Sequence, residues 1–474
     1  MLLRACGLTA ALLTAIACGS SKASGPTLLS RVPIAFTLGN SQTDTIQSVL
    51  GQALTVRVGS GPAGSGAHQV VRFQSVLDSG TYRVLVEPLA GGPPSPFVAE
   101  TTDASGEASV VIAFGNDEGP GQLVVNVPAL GYLDTARYTV LPGNPYAMQA
   151  MPNDTDAYLG GTVGLRTAVV DRFGNTRTDP VTFVVVGGPG SINGSTLTVN
   201  SYGPILVAGT AHGFVDTTVV NGVPKGTIAA AGDVSYIWSF NLDGSAFTSI
   251  SPVSAGTLKW APNGSSLVFD ETVNGLYGAI DQLQSVTTSG QLTTIVNSGA
   301  VALAYPQYSR DGTWIYYDEY SATQPLWRVH PDGTGNATVN MLSPESLQFP
   351  SPSFDGTKVS YILSGGAGDL KVLTLSSGAA VDLGVQGIAD VWSPTGNVIA
   401  YVTLNNAMAL VNSDGSGQTT IAPGPYGPQF DWSPDGRWII ARNTATTRLE
   451  VINVATQLVI PLGYTGTVGS PTWH

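Results

Sequence analysis

Apolar and polar residues alternate with a period of two along much of this chain. The run Leu54-Thr55-Val56-Arg57-Val58 is typical, and similar runs occur at Tyr82 to Glu87, Ala108 to Phe114 and Leu123 to Val127. Such alternation places successive side chains on opposite faces of a β-strand, and clusters of Gly, Asn, Asp and Ser between the runs supply turns. Beyond the N-terminus, no stretch of ten or more residues has a clear apolar period of about 3.6 residues. The pattern therefore predicts an all-β protein with few helices.

Length and composition add a domain count to this prediction. The chain has 474 residues with 58 Gly, 31 Pro and only 11% charged residues, a composition typical of short strands joined by many turns. Because single hydrophobic cores stop growing at about 250 to 300 residues, we expect several domains. All eight tryptophans lie beyond residue 225. A different domain is therefore expected to begin near that point.

A repeat is the strongest regular feature of the second half. Five motifs stand in one register, each followed by an apolar strand, with glycines spaced 48, 44, 40 and 40 residues apart: Trp260-Ala-Pro-Asn-Gly264, Tyr308-Ser-Arg-Asp-Gly312, Pro352-Ser-Phe-Asp-Gly356, Trp392-Ser-Pro-Thr-Gly396 and Trp432-Ser-Pro-Asp-Gly436. A second turn follows each motif, at Ser289-Gly290, Asp332-Gly333, Ser377-Gly378, Asp414-Gly415 and Ala455-Thr456. Four strands and two tight turns in about 42 residues form one blade of a β-propeller.

The two ends of the repeat region complement each other. The chain ends in Ser470-Pro471-Thr472-Trp473-His474, which has the pattern of a blade's first strand, whereas Thr227-Ile228-Ala229-Ala230 has the pattern of a second strand. Pairing them completes a sixth blade and removes exposed strand edges. Residues 225–474 are therefore predicted to form a six-bladed β-propeller closed by its C-terminal strand. The Trp-Ser-Pro-Asp-Gly motif resembles the repeats of TolB-like propellers, also found in prolyl-oligopeptidase-type enzymes, and the TolB resemblance implies protein partners at the bacterial envelope.

Two segments before the propeller resemble bacterial Ig-like domains of the invasin/intimin type. In residues 28–143, the run from Thr101 to Val110, with its Asp103-Ala-Ser-Gly106 turn, is similar to the second half of that family's pattern. In residues 144–224, Val169-Val170-Asp171-Arg172-Phe173-Gly174-Asn175 is similar to the first half. An Asp-x-x-Gly sequence favours a tight turn with positive φ at Gly. The resemblance implies two β-sandwiches that act as stalks or spacers.

The N-terminus has the pattern of an export signal. Residues 1–17 carry one charge, Arg4, and an apolar run too short to span a bilayer. Ala15-Ile16-Ala17-Cys18-Gly19 resembles a bacterial lipobox, which implies that Cys18 is lipidated after cleavage and that residues 18–27 form a flexible tether. No Asp follows Cys18, as in lipoproteins sorted to an outer membrane. The alternative is cleavage by ordinary signal peptidase, which would leave Cys18 free.

Charge and reactive residues exclude several function classes. The net charge of −13, with only 19 Lys and Arg, would repel nucleic acid, and the only cysteines, Cys6 and Cys18, lie at the N-terminus. The four histidines are scattered over three predicted domains without metal-binding spacing, and no Gly-x-Ser-x-Gly elbow is present. We therefore predict a non-enzymatic protein with no catalytic residue, no metal site and no cofactor.

Two residue sets could suggest a site, but structural roles fit both better. The Asp residues of the turns could form a calcium set, but Asp before Gly favours turns and each Asp falls in a different hairpin: Asp243, Asp311, Asp332, Asp355, Asp414 and Asp435. The aromatic residue that starts most motifs could line a ligand surface, but such residues commonly fill the core between blades. Binding residues therefore stay unassigned by the sequence.

The leading hypothesis is a lipid-anchored binding protein of the cell envelope, held at the outer membrane by Cys18, on its periplasmic face or at the cell surface. The propeller would engage a protein or peptide partner. The alternative is a carbohydrate-binding or carbohydrate-processing surface protein that uses exposed aromatics such as Tyr320, Trp327 and Tyr426. That alternative predicts aromatic rings on one open surface.

Overall fold

The computed structural model describes residues 34–474 except 62–63, 153–154, 233–235, 276–277, 300, 322 and 464–467. The predicted signal peptide, Cys18 and the tether lie outside the described residues, so lipidation stays a prediction. All regular elements of the described residues are β-strands apart from turns, as predicted. Within these ranges, no helix is long and apolar enough to cross a membrane. The chain divides into two compact units, the second of which comprises Ala147–Val169 and Thr178–His474.

The first unit contains two sheets around one hydrophobic core. Its strands are β1 (Ile34–Leu38), β2 (Thr43–Thr45), β3 (Leu54–Val58), β4 (Val70–Ser75), β5 (Val84–Pro88), β6 (Phe97–Thr101), β7 (Glu107–Phe114), β8 (Gly119–Val127) and β9 (Tyr132–Leu141). The sheet orders are β1-β3-β7-β5 and β2-β9-β8-β4-β6. Alternate side chains of both sheets, such as Val56 and Phe73, are fully buried in the shared core. This arrangement is a β-sandwich, whereas its membership of the Ig-like family stays a prediction.

Both predicted Asp-Gly turns, at Asp103 and at Asp171, form. Asp103 Oδ1 accepts hydrogen bonds from the backbone N–H groups of Ser105 (2.8 Å) and Glu107 (2.9 Å), and Gly106 has a φ of 82°. Asp171 is buried, and its carboxylate accepts bonds from the N–H of Gly143 (2.7 Å) and of Asn175 (3.0 Å). Burial opposes the charge of Asp171, but these hydrogen bonds outweigh it and lower the pKa. The local sequence therefore determines these turns.

The second unit begins with a smaller group of strands. They are β10 (Ala147–Met148), β11 (Thr155–Tyr158), β12 (Thr162–Gly164), β13 (Val169–Val170), β14 (Thr182–Gly187), β15 (Gly190–Asn193), β16 (Thr196–Val199), β17 (Gly203–Ala211) and β18 (Phe214–Val223). Two sheets, ordered β11-β18-β17-β14 and β12-β16-β15, enclose a core that includes Leu197, Ile205 and Val220. The predicted domain boundaries are not tested by this arrangement and stay predictions.

The rest of the second unit forms six four-stranded blades. The strands of the first three blades are β19 (Thr227–Gly232), β20 (Ile237–Asn241), β21 (Thr248–Ser251), β22 (Leu258–Trp260), β23 (Ser266–Gly275), β24 (Gly278–Thr287), β25 (Leu292–Gly299), β26 (Ala302–Tyr308), β27 (Ile315–Tyr320), β28 (Leu326–Val329) and β29 (Ala337–Thr338). The remaining strands are β30 (Leu347–Pro352), β31 (Lys358–Leu363), β32 (Asp369–Thr374), β33 (Ala379–Trp392), β34 (Val398–Thr403), β35 (Met408–Asn412), β36 (Thr419–Ala422), β37 (Tyr426–Trp432), β38 (Trp438–Asn443), β39 (Leu449–Asn453), β40 (Val459–Pro461) and β41 (Val468–Trp473).

The ring closes as the sequence predicts. The last strand, β41, pairs antiparallel with β19, with Trp473 opposite Ile228 and Thr472 opposite Ala229, so blade 1 contains both ends of the repeat region. Blades 4 and 5 share the long strand β33, whose first part pairs with β32 and whose last part pairs with β34. The six-bladed propeller is therefore confirmed by its own strand pairing.

The repeated motif forms a cradle of hydrogen bonds at the first turn of a blade. In blade 4, the Ser353 hydroxyl donates to Asp355 Oδ1 (2.7 Å) and accepts the N–H of Lys358 (2.9 Å), while Thr357 N–H donates to the same carboxylate oxygen (3.0 Å). Gly356, the glycine that ends this motif, has a φ of 68°. Blades 3 and 6 repeat this cradle around Asp311 and Asp435.

The turn interpretation of the Asp residues is thus confirmed. The second-turn residues Asp243, Asp332 and Asp414 each accept the N–H of the residue two positions later, at 2.9 to 3.0 Å. These hydrogen bonds, together with those at Asp355, lower the pKa of Asp332, Asp355 and Asp414. The carboxylates therefore stabilise their own hairpins.

We predict that Asp355→Ala lowers the free energy of unfolding of the propeller by about 1 kcal/mol, because three hydrogen bonds accepted by the carboxylate are lost at an exposed site. Asp355→Asn should cost much less, since Asn263 occupies this position in blade 2 and its Oδ1 accepts the N–H of Ser265 (3.0 Å). Urea unfolding followed by tryptophan fluorescence measures the stability of the propeller selectively, because every tryptophan lies beyond residue 225. Equal losses in the two variants would contradict the account.

Candidate functional site

The innermost strand of every blade contributes one residue to a ring inside the propeller. Each is the residue directly before the motif, and we call this set the bore ring: Lys259, Gln307, Ser351, Val391, Asp431 and Thr472. All six line one cavity of about 160 Å³. Because the six inner strands surround a common axis, one position of the repeat is brought to one level of the channel.

This cavity opens at the motif turns, and we call that end of the propeller the motif face. Its rim, the mouth ring, consists of the third residue of each motif and the terminal residue: Pro262, Arg310, Phe354, Pro394, Pro434 and His474. Arg310, Phe354, Pro434 and His474 are exposed to solvent. The mouth therefore presents rigid apolar groups beside a guanidinium, a combination that suits contact with another protein chain.

Asp431 joins three blades within the bore ring. Its carboxylate lies 2.9 Å from Lys259 Nζ in blade 2 and accepts the Thr472 hydroxyl (2.6 Å) and the Trp473 N–H (3.1 Å) of the closing strand. Both charged side chains are largely buried, with 12% of the Lys259 and 14% of the Asp431 side chain exposed. Separating the two charges would leave each buried and uncompensated. Because the contact is made only when the blades meet, it favours the closed ring.

The same kind of contact recurs between other neighbouring blades. Ser351 Oγ accepts the N–H of Trp392 (2.8 Å), and Thr472 Oγ1 accepts the N–H of Trp260 (3.3 Å). In each case a bore-ring side chain of one blade accepts the backbone N–H that begins the motif of the next. Hydroxyls and the carboxylate of the bore ring are therefore already engaged in holding blades together.

Away from the motif face, the channel narrows to a second cavity of about 30 Å³. The rings of Tyr305 and Phe349, both of which line it, have centroids 3.9 Å apart. Such a volume holds about one or two water molecules.

Three carboxylates of the propeller wall, buried Asp318 and Asp390 and half-buried Asp270, form no ion pair with a described cation. Burial, with a smaller contribution from Asp270, raises the pKa of Asp318 well above its usual value, and neither oxygen has a hydrogen bond partner among the described residues. Burial raises the pKa of Asp270 to about 6, against hydrogen bonds from Thr257. Burial also raises the pKa of Asp390, whose Oδ2 accepts the Ser360 hydroxyl (2.5 Å). Burial therefore disfavours the charged form of all three carboxyl groups.

The structure does not bring the aromatics of the carbohydrate hypothesis onto one open surface. Tyr426 is buried and its hydroxyl donates to Glu450 Oε2 (2.8 Å). Trp327 is half-buried and stacks on Tyr317, so only Tyr320 is exposed. The motif aromatics behave as predicted for core residues: Trp392, Trp432 and Trp473 are buried.

The histidines and the predicted lipidation site contribute little to the described channel. His68, His212 and His330 line neither channel cavity, whereas His474 lies on the mouth ring. Instead, His212 pairs with Asp179 (2.9 Å) and His330 stacks on Trp314. Cys18 lies outside the described residues. No group of three or more His, Cys, Asp or Glu side chains in the described part of the chain could hold a metal ion.

Sequence reasoning missed the bore ring and the mouth ring. The six bore residues share a position but no chemical type, so composition could not reveal them. Their position directly before each motif was nevertheless visible in the alignment of repeats. In a propeller that position lies on the innermost strand, which is the signal that identifies it.

We predict that Asp318→Asn stabilises the propeller at neutral pH, by about 1 to 3 kcal/mol, because it removes a buried ionisable group without partners. The folded pKa is raised, so the wild type loses stability as pH rises from about 4, the value of unfolded Asp, towards the folded pKa. The advantage of the variant should therefore grow between mildly acidic and alkaline pH. Thermal unfolding across this range measures it.

Glu319→Gln is the matched control, since Glu319 is the next residue of the same strand and points to the opposite face. The stability difference between Glu319→Gln and wild type should not grow as the pH rises. A stability difference between Asp318→Asn and wild type that is independent of pH, or a variant less stable at every pH, would contradict the assignment.

No family model matches the chain. Among curated proteins, an uncharacterized protein of Agrobacterium fabrum is 29% identical over 161 residues, which cover 30% of this chain and 53% of the relative. The chain thus spans about half the length of the curated relative it matches.

Several solved structures are similar in fold. TolB from Acinetobacter baumannii matches with a TM-score of 0.45 and 13% identity, over 62% of this chain and 82% of that one. A nidogen/laminin complex matches with a TM-score of 0.41 and 10% identity, over 52% and 98%. An oligogalacturonate lyase in complex with manganese matches with a TM-score of 0.37 and 13% identity, over 62% and 97%. The propeller assignment therefore rests on the strand pairing described above.

Proposed function

We propose that this protein is a lipid-anchored, non-enzymatic binding protein of the cell envelope, whose propeller engages a protein or peptide at the mouth ring. One observation carries the proposal: a cavity of about 160 Å³ opens at the motif face beside exposed Phe354 and Arg310. Aromatic and Arg side chains are enriched among the residues that dominate protein interfaces. The similarity of the motif to TolB-like repeats supports a protein partner.

The bore ring supports binding over catalysis. Nucleophilic catalysis needs an activated hydroxyl beside a general base. The hydroxyls of Ser351 and Thr472 instead accept backbone N–H groups of neighbouring blades, and the carboxylate of Asp431 is paired with Lys259. In this proposal the channel wall is structural and the rim supplies the contacts.

The anchor and the spacers complete the proposal. Cys18 would attach the chain to the outer membrane, with the propeller on the periplasmic face or at the cell surface. The two predicted sandwich domains lie between Cys18 and the propeller in the sequence and would act as spacers. The three aromatics named for the carbohydrate alternative, Tyr320, Trp327 and Tyr426, do not share one open surface among the described residues.

We predict that Arg310→Glu combined with Phe354→Ala lowers the recovery of the envelope partner by at least about fivefold, because it removes two contacts that are each expected to contribute about 1 kcal/mol or more. Recovery is measured by affinity capture from chemically crosslinked native envelopes with quantitative mass spectrometry. Leu404→Ala, in the hairpin between β34 and β35 at the opposite end of the strands, is the matched control and should not change it. Unchanged recovery with the mouth variant would reject the mouth as the interface.

We further predict that the membrane-extracted protein has the mass of residues 18–474 plus a lipid moiety, and that Cys18→Ala moves the protein into the soluble fraction. Intact-mass spectrometry of both forms tests this directly. A soluble wild-type chain that begins at Cys18 without lipid would refute the anchor and leave cleavage by ordinary signal peptidase.

A further inference from the structure

A groove of about 680 Å³ lies beside the propeller channel, between the strands β11 to β18 and blades 1 and 6. We call it the flank groove. Its walls include Leu159, Tyr202 and Pro224 on one side and Pro434 and Arg437 on the other. Leu159 and Tyr202 are exposed, with 42% and 37% of their surfaces accessible. The groove therefore offers apolar surface to a ligand.

The groove is held in shape by contacts beneath and beside it. The ring of Tyr202 meets that of Trp438 edge to face, with centroids 5.0 Å apart. Asn221 Nδ2 donates to Pro461 O (3.0 Å), and Gly463 N–H donates to the carboxylate of Asp156 (2.7 Å). These bonds join both walls across one compact unit, so little ordering is needed before a ligand binds.

The charge along the groove is opposite to that of the whole protein. The chain carries a net charge of −13, yet the charged side chains that line the groove are exposed Lys225 and Arg437 and one exposed carboxylate, Asp435. Lys225 has no ion pair or side-chain hydrogen bond among the described residues. Arg437 Nε lies 3.9 Å from Asp435 Oδ2, with both side chains largely exposed, so this pair is weak. The groove therefore favours a ligand that carries carboxylates.

The flank groove and the mouth ring form a continuous surface. Pro434, Trp473 and His474 line both cavities. Arg310 extends the line of cationic groups onto the mouth. A ligand at the mouth can thus continue into the groove without leaving the protein surface.

The aromatic groups of the groove do not suit a sugar. Trp438 and Trp473 are only 4% and 5% exposed, so neither presents a ring face for stacking. Tyr202 is the exposed ring, and it already packs against Trp438. Apolar walls of Leu and Pro with cations at the rim instead fit a polypeptide that alternates apolar and acidic residues.

We propose that the flank groove binds an extended acidic segment of the protein partner, which continues from the mouth ring. This inference rests on the proposed function and adds the chemistry of the partner. Carboxylates of the segment would lie near Lys225 and Arg437, and its apolar residues would contact Leu159, Tyr202 and Pro434.

The test uses the full-length protein and a fluorescein-labelled peptide of repeating Glu-Leu-Pro-Glu units, about twelve residues and about 40 Å long when extended. Fluorescence anisotropy should show binding that weakens with added salt. Lys225→Glu combined with Arg437→Glu should weaken it by about tenfold, since attraction becomes repulsion at both cations. The same peptide with Gln in place of Glu should bind the wild type at least about tenfold more weakly.

Arg72→Glu is the matched control, because Arg72 is an exposed cation of the first unit that lines neither cavity. It should leave the affinity unchanged, and unaltered thermal unfolding of the groove variant establishes that it folds. Equal affinity for the Glu and Gln peptides, or no effect of the groove variant, would overturn the proposal. Tighter binding of oligogalacturonate than of the Glu peptide, with the same dependence on Lys225 and Arg437, would also overturn it in favour of an acidic sugar.

The two proposals fail separately. If the Arg310/Phe354 variant loses the envelope partner but the groove variant keeps its affinity for the peptide, the groove proposal alone is overturned. If the groove variant loses affinity for the peptide but the Arg310/Phe354 variant recovers the partner unchanged, the groove proposal is supported and binding at the mouth ring is overturned.

Discussion

Closure of the propeller ring is the constraint on which the rest of the second unit depends. Six blades around an axis leave two open strand edges unless the ends of the repeat region pair, and β41 on β19 makes that pair. Asp431 reinforces it, because its carboxylate contacts Thr472 and Trp473 of the closing strand and Lys259 of the next blade. Without this closure neither the bore ring nor the mouth ring would exist as a ring.

The same closure explains how structural and binding roles divide along the channel. Side chains of the bore ring, such as Ser351 and Thr472, hold neighbouring blades together through backbone N–H groups. They are therefore unavailable for chemistry on a substrate. The third motif residue makes no such contact between blades, so Arg310 and Phe354 can differ from the Pro found at this position in blades 2, 5 and 6. Variation is thus tolerated where contact with a partner is proposed.

Local chemistry made much of the fold predictable from the sequence. Asp355 and the motif glycine Gly356 determine their turn through hydrogen bonds within a few residues. The repeat and its blades could therefore be predicted from the sequence alone. The complementary ends at Thr227 and Trp473 likewise predicted the closing strand. The strand predicted from Tyr82 instead begins at Val84, a shift typical of element ends.

Features that depend on distant contacts could not be predicted in this way. Burial of Asp318 and Asp390 results from packing between blades, and an isolated Asp in a strand gives no local signal of it. Blades 4 and 5 share β33 because this strand is long enough to pair with β32 along its first part and with β34 along its last part. The flank groove requires contacts such as Tyr202 on Trp438, which are more than two hundred residues apart in sequence. The lipid anchor at Cys18 and the Ig-like resemblance stay predictions.

Site-specific photocrosslinking in the native envelope tests whether a partner binds at the motif face. A photoreactive phenylalanine analogue would replace Phe354 at the mouth ring or, in a parallel sample, Leu404 at the opposite end of the blades; both side chains are exposed. We expect a discrete crosslinked protein or peptide at position 354 and none at position 404. Crosslinks at 404 alone, or identical products at both positions, would contradict binding at the motif face.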